Sequence, residues 1–100
     1  MKLLFICNAA LQRSPTGANL FKKEHETDYA GIYSIDNPLT QQKLEWADVV
    51  FVMEEHQRKF IEEMFPELQK KIINLDVPDM FIRNDPRLIG ILEDKVKKSL

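Results

Sequence analysis

Cysteine is almost missing from the sequence: Cys7 stands alone, so no internal disulfide can form and no Cys/His cluster has the spacing of a zinc site. No metal or other cofactor is implied. Long apolar runs are lacking as well. The stretch Leu3-Leu4-Phe5-Ile6 is too short for a signal-peptide core or a transmembrane span, and a cytoplasmic protein is expected. Neither charge is in large excess. With 14 Lys+Arg against 16 Asp+Glu the net charge is -2, so the broad basic face of a nucleic-acid or anionic-membrane binder is not there. Any attraction for anions must be local. Repeats and low-complexity tracts do not occur, and 100 residues that are 44% hydrophobic suffice for a real core, with residues 1–100 expected to form one domain.

What is present centres on Cys7-Asn8-Ala9-Ala10-Leu11-Gln12-Arg13-Ser14-Pro15. It follows an apolar run and precedes an amphipathic pattern, so it predicts a strand, a tight loop and a helix start, with Ser14 as the N-cap and Pro15 at the first helical position. Backbone N–H groups of such a loop converge on one point, and the positive end of the helix dipole reinforces them. A sulfur at the bottom (Cys7) and a guanidinium at the rim (Arg13) complete an anion cradle of phosphate size.

The remaining chain alternates strand and helix signals. Leu3–Cys7 and Val49–Met53 are apolar throughout, as strands buried on both faces require. Tyr29–Ile35, interrupted by Gly31, and Ile72–Leu75 are the other two strands. Helices are expected from Ser14 to about Glu26, over Leu39–Trp46 behind Asn37-Pro38, over Glu54–Phe65 before Pro66, and from Asp85-Pro86 onward. Four strand–helix alternations predict an α/β fold, a small four-stranded parallel sheet with helices on both faces, a flavodoxin-like three-layer sandwich. Ligands of such sheets sit beyond the carboxyl ends of the strands. The acid-rich segment from Asp76 to Asp85 leaves the fourth strand at that same edge and brings a carboxylic acid to Cys7.

Cys, five residues, then Arg-Ser-Pro-Thr at the first strand-to-helix turn resembles the low-molecular-weight protein tyrosine phosphatases. Trp46-Ala47-Asp48-Val49-Val50-Phe51-Val52-Met53-Glu54 is similar to that family's third-strand segment, and Leu75-Asp76-Val77-Pro78-Asp79-Met80-Phe81 to its late acid loop. The resemblance implies phosphomonoester hydrolysis, of phosphotyrosine in a protein or of a small aryl phosphate, through a phosphocysteine intermediate. By it, Cys7 would be the nucleophile, and Arg13 would clamp the phosphoryl oxygens through a planar fork that lysine cannot copy. Ser14 would hydrogen-bond the sulfur, and Asp79 would be the general acid, with Asp76 and Asp85 competing for that role. The backbone of Asn8, Ala9, Ala10, Leu11, Gln12 and Arg13 would hold the phosphate. Phe81 would flank the substrate ring. His25 and His56 are expected to be structural or to face solvent.

The chain also departs from that pattern. Ala9 and Ala10 stand where the family usually has Gly and an Asn that braces the loop, so either another group braces it or the site is looser. Gln12 replaces a second cysteine and Met80 a proline. The chain is shorter between Tyr29 and Trp46, where the wall beside the substrate is expected to be reduced. The rival readings are an arsenate reductase that borrows an external thiol, a phosphocysteine phosphocarrier, and a module that binds phosphate or phosphotyrosine with little or no turnover.

Overall fold

The computed structural model describes residues 1–68 and 70–100. Its elements follow in the order β1 (Lys2–Cys7), α1 (Arg13–Phe21), β2 (Glu26–Gly31), α2 (Gln41–Trp46), β3 (Val49–Val52), α3 (Glu55–Met64), β4 (Lys71–Asn74) and α4 (Pro86–Ser99). All pairings in the sheet are parallel, in the strand order β2-β1-β3-β4. The two central strands, β1 and β3, are the two apolar runs, and they are buried almost throughout, as coverage of both faces requires.

Strand alternation divides the core. Leu3, Phe5 and Cys7 point to one face, where they meet Ala18 and Phe21 of α1 and Leu88, Leu92 and Val96 of α4. Leu4 and Ile6 point to the other, against Leu44 of α2 and Ile61 of α3. The sheet is therefore the middle layer of three.

Several boundaries differ from those expected. Ser14 is not the N-cap: Gln12 holds that position, the helix has begun at Arg13, and the Ser14 hydroxyl is fully buried facing Cys7. Pro15 is still accommodated, since first-turn N–H groups have no intrahelical partner to lose. Helix α1 stops at Phe21 rather than near Glu26, in turns closed by the Glu24 and His25 N–H groups on the Phe21 carbonyl. Strand β2 spans Glu26–Gly31, not Tyr29–Ile35. As an edge strand it tolerates Glu26 and Asp28, and beyond Gly31 the chain leaves the ladder to bond the loop after β1. Helix α2 begins at Gln41, capped by the Thr40 hydroxyl, while Asn37 instead accepts from the Lys43 ammonium at 2.6 Å. Helix α4 starts as expected, its Asp85 side chain accepting the Arg87 N–H. Among the described residues no helix is long and apolar enough to cross a membrane.

Candidate active site

Strand order reverses beside β1: the chain goes from β1 to its neighbour on one side, β2, and then to β3 on the other. The crevice beyond the carboxyl ends of β1 and β3 is the switch point of the sheet, and Cys7 ends β1 there. Residues 8–12 make a tight loop before α1, with Ala10 in the left-handed region at φ 60°. A cavity of about 210 Å³ opens above it, lined by Cys7, Asn8, Ala9, Leu11, Gln12, Arg13 and Asp79. That volume is below the roughly 300–1,000 Å³ of a drug-sized site, and suits a small anionic headgroup. A larger cavity of about 570 Å³ lies among Gln41, Glu45, Met64, Phe65 and Leu68, and contains none of these groups.

The sulfur of Cys7 is buried at the floor, and its S–H donates to the Ser14 hydroxyl oxygen at 3.1 Å. Arg13 is only 1% exposed, and its guanidinium is held through one nitrogen. Nη1 donates to Glu54 Oε2 at 2.8 Å and to the Val77 carbonyl at 2.7 Å. Nη2 lies 3.8 Å from Asp79 Oδ2. A buried guanidinium needs a paired carboxylate to offset its desolvation, and Glu54 supplies one at Nη1 while Nη2 lies toward Asp79.

Glu54 comes from the end of β3, and the same corner holds the loop. Glu54 and Gln57 form a reciprocal capping box at the start of α3. The fully buried Gln57 accepts the Met53 and Glu54 N–H groups at 2.7 and 3.1 Å, and its amide nitrogen donates to Asn8 Oδ1 at 3.0 Å. His56 Nε2 lies 2.8 Å from the same oxygen. From the opposite side, the Ile32 and Tyr33 N–H groups donate to the Cys7 and Asn8 carbonyls at 3.0 and 2.8 Å.

The structure thus brings Cys7, Arg13, Ser14, Asp79 and the loop residues together. It does not bring Phe81, which is packed in the core between the sheet and α4 with the Arg87 guanidinium over its ring. Asp76 turns away to the Asn74 amide at 2.9 Å, and Asp85 caps α4 and pairs with Arg87. Of the three aspartates only Asp79 lines the cavity. The segment between Gly31 and Thr40 adds no lining residue.

The whole chain superposes on solved phosphatases. The tyrosine phosphatase Wzb from Escherichia coli K30, in complex with phosphate, matches with a TM-score of 0.80 at 20% identity over 98% of this chain and 94% of that one. Wzb from Vibrio vulnificus, in complex with benzylphosphonate, matches with a TM-score of 0.81 at 17% identity over 99% and 98%. The arginine phosphatase YwlE from Geobacillus stearothermophilus matches with a TM-score of 0.69 at 21% identity over 98% and 94%. This is the low-molecular-weight tyrosine phosphatase fold. No protein-family model and no curated protein sequence matches the chain.

Within the phosphatase fold, Glu54, His56 and Gln57 are among the contacts that the sequence did not bring to the loop, as are the Ile32, Tyr33 and Arg83 N–H groups. One signal for two of them was available, since Glu54 and Gln57 three residues later have the spacing of a capping box.

Proposed function

We propose that the chain is a cysteine-dependent phosphomonoester hydrolase acting on phosphotyrosine or a similar aryl phosphate. The observation that carries this reading is a buried sulfur at the end of β1, followed by a tight loop with a left-handed Ala10, and sharing one cavity with the Glu54-anchored Arg13 guanidinium and with Asp79. In the reacting form Cys7 is a thiolate and Ser14 donates to it, the reverse of the bond between the neutral groups. The sulfur attacks phosphorus, an S–P bond forms, and the P–O bond to the leaving aryloxide breaks. Asp79 enters this step protonated and gives its proton to that oxygen. Arg13 and the loop N–H groups take up the charge that spreads over the three equatorial oxygens. Water then attacks phosphorus as Asp79 removes its proton, and the thiolate leaves.

Leu11 supports an aryl substrate. It is 62% exposed at the rim of the cavity, where an apolar side chain offers a face to a flat ring rather than a partner to a charged guanidine. The test is turnover of p-nitrophenyl phosphate between acidic and neutral pH, with Cys7→Ser losing it while still binding inorganic phosphate. A wild-type protein that binds phosphate and releases no p-nitrophenol would select the binding-module reading instead.

A further inference from the structure

The segment that carries Asp79 is fastened on both sides. On the N-terminal side, fully buried Val77 donates its N–H to the Met53 carbonyl at 2.8 Å and accepts Arg13 on its own carbonyl. On the C-terminal side, Phe81 is buried, the Arg83 N–H donates to Oε1 of Gln12, and the Asn84 N–H donates to the Thr16 hydroxyl at 3.0 Å. The Thr16 hydroxyl in turn donates to the Gln12 carbonyl at 2.7 Å. Gln12 therefore holds the acid loop directly through its side chain and, by way of Thr16, through its main chain. The side chain of Asp79 is itself 59% exposed, so backbone ties rather than packing set where its carboxyl sits.

We infer that Gln12 is a positioning residue for proton transfer: its side-chain oxygen, by holding the Arg83 amide, fixes the reach of Asp79 over the cavity. The inference rests on the function proposed above and adds a role that Cys7, Arg13 and Ser14 do not fill. The Arg83 amide lies at an exposed position, where water would satisfy it if Gln12 let go. The bond is therefore dispensable for burial, and its consequence is positional. Because Gln12 also belongs to the phosphate loop, it makes that loop and the acid loop one unit.

The test compares two esters in the same protein. Phenyl phosphate has a poor leaving group that depends on proton donation, whereas p-nitrophenyl phosphate has a good one that depends on it less. The ratio of their kcat/KM values cancels any loss common to both, including disturbance of the phosphate loop. Gln12→Ala should lower that ratio about tenfold, a small part of the range of a general acid. Gln12→Glu keeps an acceptor oxygen and should keep the ratio, although its charge lowers both rates. Thr16→Val should shift the ratio in the same direction by less. A Gln12→Ala protein that hydrolyses both esters in the wild-type ratio would overturn the inference and leave the phosphatase reading intact. A wild type that hydrolyses neither would overturn both. Should Gln12→Ala be too slow to assay, amide exchange decides: faster exchange at Arg83 supports the tie, and an unchanged rate refutes it.

Discussion

Replacing Gly31 by alanine tests whether the loop is held in shape from outside. A Cβ built on Gly31 would lie 2.6 Å from the Asn8 carbonyl oxygen, 2.7 Å from the Ala10 nitrogen and 2.8 Å from the Ala9 carbonyl carbon. Ordinary contact begins at 3.4 Å, so the shortfall is about 0.6–0.8 Å, and every atom it meets is backbone. Nothing can rotate aside. Gly31 itself cannot retreat easily, being paired with Cys7 in the ladder and bonded through its N–H to Asn37 and through its carbonyl to Leu39 at 3.0 and 3.1 Å. The movement therefore falls on residues 8–10. Overpacking of this kind costs about 1–3 kcal/mol in stability, and shifting the phosphate donors by such a distance should lower kcat/KM about 100-fold. The assay is p-nitrophenyl phosphate hydrolysis and phosphate affinity, measured with thermal unfolding on the same samples. Gly90→Ala is the control: its Cβ meets nothing within 4 Å on α4, and it should gain about 0.5–1 kcal/mol with activity retained. If Gly31→Ala keeps kcat/KM within about twofold of wild type and binds phosphate equally well, the loop is not positioned by its contact with β2.

Three other outcomes are expected. Asp79→Asn should lower kcat about 10²–10⁴-fold and remove the basic limb of the pH-rate profile, while Asp76→Asn, whose carboxylate faces Asn74, should leave the limb in place. Gln57→Leu strands the buried Met53 N–H and releases Asn8, and should cost about 2–4 kcal/mol, read as a fall of at least about 8 °C in Tm. The Arg87 side chain, and then its N–H, hold the Asp85 carboxyl below the ordinary aspartate value. A carboxylate depressed by folding adds stability above its unfolded pKa and loses it as the pH falls through the folded one. Asp85→Asn, which keeps the cap, should thus lower Tm most near neutral pH, and the gap should close below about pH 4; a gap that widens in acid would refute this.

Legibility followed burial. Strands β1 and β3 stand out in the sequence because both of their faces are covered, which leaves no polar residue to blur the pattern. Strand β2 was displaced by three to four residues because its polar start, Glu26-Thr27-Asp28, suits an edge, whereas Ile32 and Ile35 carry β-like side chains in a turn. Ser14 had the identity of a cap, but the hydroxyl has a better use 3.1 Å from a buried sulfur. Phe81 was legible as an aromatic near the acid and not as the core residue that anchors the acid's loop. Hydrogen bonds spanning 41 to 71 positions, from Glu54 to Arg13 and from Arg83 to Gln12, leave no trace in local spacing.

The alanines of the loop make the same point in energetic terms. A left-handed alanine at position 10 costs about 1–2 kcal/mol, and no side chain at positions 9 or 10 can offset it locally. Four hydrogen bonds from outside converge on Cys7 and Asn8: two on the Asn8 amide from α3, and two on consecutive carbonyls from the residues after β2. At about 0.5–1.5 kcal/mol each, they outweigh the strain. The bracing therefore comes from α3 on one side of β1 and from the turn after β2 on the other, and the loop's own residues need only be small enough to accept the shape imposed on them. That is why a stretch with Ala9 and Ala10 can keep its tight, partly left-handed bend, and why substitutions at Gly31 or Gln57 should reach the site sooner than their distance along the chain suggests.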